Sequence, residues 1–277
     1  MLVRCWGARG SIPVSGRGYL RYGGDTPCVE IRTGDDDIVI IDAGSGIRRL
    51  GNRLIAENRS DFSLIFTHAH WDHIMGFPFF KPIYRSKTRI AMFGCPFAQA
   101  SVRAMIASIM APPNFPVDFE NIRAEIQYQE SCQENFQIGG MTITPIPLSH
   151  PNQGTGYRFE ENGKTFVFLT DNELTYRHPG GLEYGDYAAF AKGADLLIHD
   201  AEYRPEDYGL TRMWGHSVYT DVVRLALNAG VDRLGLFHHN QERTDEALDE
   251  VVEDCRRIAA DRPLECFALQ QDMEIVV

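Results

Sequence analysis

The sequence predicts a mixed α/β fold in which two β-sheets pack face to face with helices on their outer sides. Three observations carry this prediction. Apolar runs of strand length recur from the first residues to the last. Stretches with helical spacing are interspersed among them in both halves. The two halves share this pattern without sharing letters. Such an order fits a sheet sandwich flanked by helices better than a helical bundle or an all-parallel sheet. At 277 residues the chain is long enough for one large domain or two small ones, with a sizeable core.

In order, LVRCWG reads as a strand and ARGSIPVSGRG as a loop. PCVEIRTG and DDDIVIIDAG read as paired strands joined at the turn TGDDD. Between Ser45 and Glu57, the spacing of Ile47, Leu50, Leu54 and Ile55 predicts a helix. FSLIFT is a buried strand. PFAQASVRAMIASIMAPPNFPVDF predicts one helix stopped by the Pro112-Pro113 pair, its Met and Phe residues packing in the core. MTITPIPLSH and KTFVFLTD read as strands that end on polar residues, His150 and Asp171. ADLLIHDAEY is a further buried strand. SVYTDVVRLALNAG predicts a helix with Ser217 as its cap and Gly230 as its stop. DRLGLFHHN predicts a strand ending at His238 or His239, followed by a long amphipathic helix over TDEALDEVVEDCRRIAADR. ECFALQQDMEIVV closes as one or two strands.

Composition narrows the class. Hydrophobic residues make up 44% and charged residues 23%, ordinary for a soluble globular protein. No run approaches the roughly 20 apolar residues needed to cross a bilayer. The opening MLVRCWGARGS has no apolar core of signal-peptide length, so a cytoplasmic location is expected. The six cysteines form no CxxC pair and read as reduced core residues rather than a disulfide framework. The net charge of -11 argues against a long polyanion as partner, because a phosphate backbone is bound by clustered Lys and Arg. A small phosphorylated ligand stays possible, since a metal supplies positive charge locally.

The chemistry concentrates in FTHAHWDHIMG, Phe66 to Gly76, which places three of the nine histidines and one aspartate within six positions. In an extended segment residues two apart share a face, so His68 and His70 can grip one ion. Asp72 and His73 lie further along and can face a second. Imidazole and carboxylate donors suit zinc, manganese or iron. The cluster begins where a strand ends, the usual place for ligand sites in open α/β sheets. His150, Asp171 and His238 also end apolar runs. Singly each reads as a turn residue; together they complete a ligand set for two metals, with Asp171 able to bridge.

The residues THAHWDH, the lone histidine of PLSHP, Asp171 in FLTD and the histidine of LFHH resemble the metallo-β-lactamase superfamily across nearly the whole chain. WGARGSIPVSG, RYGGDTPCVEI, IDAGSG and GHS at Gly215 to Ser217 resemble its ribonuclease Z-like and cyclic-phosphodiesterase branch. The resemblance implies a four-layer αββα sandwich, one domain over residues 1–277, with a two-metal site at one edge. By position it implies His68, His70 and His150 for the first metal, Asp72, His73 and His238 for the second, and Asp171 between them. Either His238 or His239 can fill the last role; His238 is preferred because it directly ends its strand. His216 matches a histidine of the branch that contacts the scissile phosphate and protonates the leaving oxygen. Asp42 is implied as a support of the histidine loop. His199 and Asp200 read as residues that orient ligands, with their roles open, and His178 as a loop residue.

The implied activity is a phosphodiesterase in which two divalent ions, zinc before manganese or iron, activate water against a small diester, with Asp72 and His216 as catalytic residues. The span between His150 and Asp171 leaves no room for the Gly-rich arm that ribonuclease Z proteins carry near this point, so a cyclic-nucleotide-like substrate is expected in place of long nucleic acid. Two rivals remain: a lactone, thioester or amide hydrolase on the same cage, and a non-catalytic metal-binding accessory protein. Relatives of this kind often pair, which leaves a homodimer open.

Overall fold

The computed structural model describes residues 1–95, 101–129 and 135–277. Its strands form two seven-stranded sheets. The first contains β1 (Leu2–Gly7), β2 (Cys28–Arg32), β3 (Ile38–Ile41), β4 (Asp61–Ile65), β5 (Arg89–Phe93) and β6 (Glu125–Gln129) in chain order, with β14 (Glu274–Val276) added beside β1. The second contains β7 (Phe136–Ile138), β8 (Met141–Pro147), β9 (Thr155–Glu161), β10 (Lys164–Leu169), β11 (Leu196–Asp200), β12 (Arg233–Phe237) and β13 (Glu265–Ala268). Each sheet is antiparallel on one side and parallel on the other, the parallel parts being β3 to β6 and β10 to β13.

The run IVII of β3 explains the layering. Its residues alternate between faces, and all four are buried, so both faces must be covered. Val39 and Ile41 point between the sheets, where Val3, Ile31 and Ile65 meet Phe159, Phe166, Phe168, Ile198 and Phe237 of the second sheet. Ile38 and Ile40 point outward against α1 (Ile47–Ala56) and α3 (Val102–Ile109). On the far side, α4 (Tyr184–Phe190), α6 (Tyr219–Ala229) and α7 (Asp245–Ile258) cover the second sheet. The result is the expected αββα sandwich. Two single-turn helices, α2 (Trp71–Ile74) and α5 (Tyr208–Thr211), lie in loops.

Several local expectations change. Ser217 does not cap α6, whose N-cap position is Val218. Its hydroxyl instead donates to Asn172 O at 2.5 Å and accepts from Leu174 N at 3.1 Å, tying the exit of β10 to the entry of α6. Gly230 does stop that helix, in the left-handed conformation. The helix expected from Pro96 onward is described only as Val102–Ile109, capped by Ser101; residues 96–100 lie outside the described residues. Its buried Met105, Ile106 and Ile109 are core, as expected. Cys5, Cys28, Cys255 and Cys266 are free and buried. Cys95 is disulfide-bonded, against the expectation of reduced thiols, and Cys132 lies outside the described residues.

Candidate metal centre

The strand ends β3, β4, β8, β10, β11 and β12 run out at one edge of the sandwich, and each delivers polar side chains there. After β4 the chain reaches His70, whose own backbone is extended and which sits at the N-cap position of α2, with Asp72 and His73 in that single turn. The turn brings Asp72 and His73 back toward His68. Asp42, Asp171 and His238 all adopt left-handed backbone with φ of 61°, 56° and 54°. Non-glycine residues rarely do so, and such strain clusters at functional sites. It swings each side chain off its strand axis.

Among the described residues, donor atoms within 4.8 Å of one another form three overlapping groups: His68, His70, His150 and Asp171; Asp72, His73 and His238; and Asp171, His216 and His238. His150 Nε2 lies 2.9 Å from His70 Nδ1 and 3.7 Å from Asp171 Oδ2, which is 3.4 Å from His68 Nε2. His73 Nε2 lies 3.3 Å from both Asp72 Oδ2 and Asp171 Oδ1, and His238 Nε2 is 3.0 Å from Asp72 Oδ2. These separations approach the edge of a tetrahedron, about 3.3 Å, when the bonds to a central zinc are about 2.0–2.1 Å.

Hydrogen bonds at the backs of the rings dictate their tautomers. His73 Nδ1 donates to Asp42 Oδ2 at 2.7 Å, and His150 Nδ1 donates to Gly215 O at 2.9 Å. His238 Nδ1 donates to Glu202 Oε2 at 2.8 Å. Thr67 Oγ1 donates to Asp42, so it accepts from His68 Nδ1 at 3.0 Å. In the neutral rings that a metal needs, four Nε2 lone pairs are thereby turned toward one another in a dry space. Those of His68 and His73 are buried with no hydrogen-bond partner. Buried polar atoms are normally satisfied, and a divalent cation is the group this donor set fits.

The electrostatics agree. Burial pushes His68 well below its ordinary value and His150 down to about 3. Burial opposes charge on His73 too, but Asp72, Asp171 and Asp42 outweigh it and hold that group well above its ordinary value. His238 is raised likewise, with Asp171, Asp72 and Glu202 overcoming burial. Burial works against ionised Asp72 and Asp171, yet the surrounding imidazoles hold both well below the usual carboxylate range. The site stabilises two buried carboxylates and calls for positive charge beside them.

His216 stacks on His238 with ring centroids 4.5 Å apart, its Nε2 3.5 Å from Glu202 and its Nδ1 3.6 Å from Asp200. Burial lowers its pKa, but Glu202, Asp200 and Asp171 raise it by more. His239 points away, donating from Nε2 to Leu269 O, so His238 alone of the pair reaches the cluster. Asp200 accepts from Asn172 N and Ser217 N, while the His199 ring contacts Asp200 O and Asn172. Both residues therefore brace the site from behind.

His178 is a loop residue, as expected, but it is buried and donates to Glu173 at 2.8 Å. Two carboxylates were not legible as site residues. Glu202 orients His238, and Glu173 gathers the loop before His216. Their neighbours in DAEY and DNEL are ordinary polar turn letters, and only burial to 3% and 1% exposure marks them.

A beta-lactamase superfamily domain model matches residues 38–239. The ribonuclease Z of Sulfolobus acidocaldarius is 23% identical over 84% of this chain and 90% of its own. The metallo-beta-lactamase fold protein YhfI of Bacillus subtilis superposes with a TM-score of 0.72 at 16% identity, covering 99% of this chain and 98% of that one. A diphosphatase of the PhnP family superposes at 0.70 and 17% identity, covering 100% and 97%. The chain belongs to the beta-lactamase superfamily and has the metallo-β-lactamase fold.

Proposed function

We propose that this chain is a metal-dependent hydrolase of small phosphodiesters, acting as one domain over residues 1–277 with two divalent ions. The observation that carries the reading is the pair of donor groups that meet at Asp171. In this reading His68, His70 and His150 hold one ion, Asp72, His73 and His238 hold the other, and Asp171 serves both. The imidazole-rich donor set favours zinc, with manganese or iron as alternatives. When bound, the ions supply an ionised water near neutral pH and neutralise charge on the non-bridging phosphate oxygens.

The chain's own residues do the rest. Asp42, Thr67, Gly215 and Glu202 hold the rings in the tautomers that present Nε2. Asp72 Oδ2 accepts from the backbone N–H of Ser11 at 2.9 Å, which holds a charged oxygen beside His238. His216 lines that mouth and donates a proton to the leaving oxygen, a contribution typically about 10²–10⁴-fold. Glu202 and Asp200 favour the protonated ring that this role needs.

The relatives named ribonuclease Z raise the question of a long RNA substrate. Two features favour a small one. Among the described residues, neither Lys nor Arg lines the cavity at the mouth, and the net charge is -11. The stretch between His150 and Asp171 is used up by the β9–β10 hairpin, closed by Asn162 and Gly163 with φ of 51° and 77°. The test is turnover by metal-loaded protein of bis-p-nitrophenyl phosphate, a precursor transfer RNA, a lactone and a thioester. Hydrolysis of the diester alone is expected. Preference for the lactone or thioester overturns the bond assignment, and preference for the transfer RNA overturns the size assignment.

A further inference from the structure

Glu173 sits 1% exposed with both carboxylate oxygens fully engaged. One accepts from Tyr208 Oη at 2.7 Å and from Met213 N at 2.8 Å. The other accepts from His178 Nε2 at 2.8 Å and from Gly215 N at 2.9 Å. Two of these four bonds grip the backbone on either side of Trp214, whose own N–H donates to Thr211 O at 3.0 Å. Met213 and Gly215 hold positive φ, 75° and 93°. Gly215 has no alternative, because a Cβ there would lie 2.1 Å from His150 Nδ1. The segment is thus fastened at three consecutive N–H groups, yet Trp214 is 61% exposed. A large apolar side chain carried into water by a fastened backbone is an arrangement that binding surfaces use.

Trp214 lines a cavity of about 410 Å³ together with His70, His216, Glu202 and Asn240. The indole therefore flanks the space where a bound diester would sit. The charges nearby select what the diester carries. An adjoining extension of the surface shares Tyr203, Thr211 and Asn240 with this cavity, and there Arg204 and Arg243 already pair with Glu250 and Asp207. Glu206 and Glu242 line that extension as well. A second phosphate would meet paired cations and surplus carboxylates, whereas an uncharged ring would meet an open aromatic face.

Resting on the phosphodiesterase reading, we infer that Trp214 is a stacking platform for a nucleobase attached to the scissile phosphodiester. The substrate class that follows is a nucleoside diester without further phosphates. Base–aromatic stacking is sequence-tolerant, so any nucleobase qualifies, and truncating the ring forfeits about five- to hundredfold in recognition.

The test compares two diesters with one leaving group, thymidine 5′-(p-nitrophenyl phosphate) and methyl p-nitrophenyl phosphate, on metal-loaded protein. The ratio of their kcat/KM values should fall about five- to hundredfold in Trp214→Ala and largely survive in Trp214→Phe. A purely structural role lowers both rates alike and leaves the ratio untouched, which overturns the inference. A second readout needs no turnover: thymidine 5′-monophosphate should quench tryptophan fluorescence in Trp71→Phe but not in Trp71→Phe/Trp214→Phe. Quenching absent from the first variant, or persisting in the second, overturns it as well. If wild-type protein cleaves neither diester, the phosphodiesterase reading falls, and the quenching still decides Trp214.

Discussion

Replacing Glu202 by Gln tests whether the outer carboxylate sets the strength of one ion site. Glu202 is 3% exposed; its Oε2 accepts from His238 Nδ1 at 2.8 Å and its Oε1 from Asn240 Nδ2 at 3.0 Å. Glutamine keeps the shape, but it removes the charge and leaves one acceptor for two donors. A hydrogen bond to a charged group contributes about 1.5–3 kcal/mol and a neutral one about 0.5–1.5, so the swap forfeits about 1–1.5 kcal/mol at His238. That is about tenfold in affinity, at the lower end of the 10–100-fold typical when the group behind a ligating imidazole is changed. Titration of apoprotein against a chromophoric chelator, resolved into two equivalents, should show one weakened by about 10–100-fold. The other, whose histidines Glu202 does not touch, should lose less. Equal loss at both, or none at either, with unchanged circular dichroism, would refute the assignment of His238 to a separate ion.

Asp72→Ala should lower kcat/KM by about 10²–10³-fold or more while circular dichroism stays unchanged, and retained turnover counts against the site. Chelation should destabilise the protein: at a thousandfold excess over Kd a bound ion adds about 4 kcal/mol. At about 2–4 °C per kcal/mol, the melting temperature should drop by about 8–16 °C and recover on reloading. An apoprotein that melts with the holoprotein shows that the cluster does not bind metal in the folded state. Gly215→Ala drives a Cβ into His150 at a residue with φ of 93°, so both activity and about 1–3 kcal/mol of stability should be lost, measured by denaturant melts. Unchanged activity there would mean that the Gly215 carbonyl does not set the His150 ring.

Much of the architecture is readable locally. LVRCWG is β1 to the residue, and the helical spacing before Glu57 is α1. Periodicity serves where one face is apolar. β6, EIQYQ, alternates with Ile126 and Tyr128 on one face, and β9, TGYRFEE, does so around Tyr157 and Phe159, but two apolar residues in so short a polar run do not by themselves separate a strand from a loop. The closing stretch does form two strands, as expected, but β14 joins β1 from the far end of the chain, a pairing that no local pattern encodes. The helical start at Trp71 similarly overrides the extended reading of the histidine run, since the N-cap at His70 turns Asp72 and His73 back toward the strand end.

The sequence by itself determined the donors, imidazole and carboxylate, and their attachment to the ends of apolar strands, because side-chain chemistry and strand periodicity are local properties. Only the tertiary structure decided that His238 faces the cluster while His239 faces Leu269, that Glu202 and Glu173 are buried supports, and that Trp214 overlooks the cavity. Those outcomes depend on which strand ends lie side by side. Sheet register and the packing of Phe166, Phe168 and Phe237 against Ile31 and Ile41 set that arrangement, and it joins residues far apart in the chain.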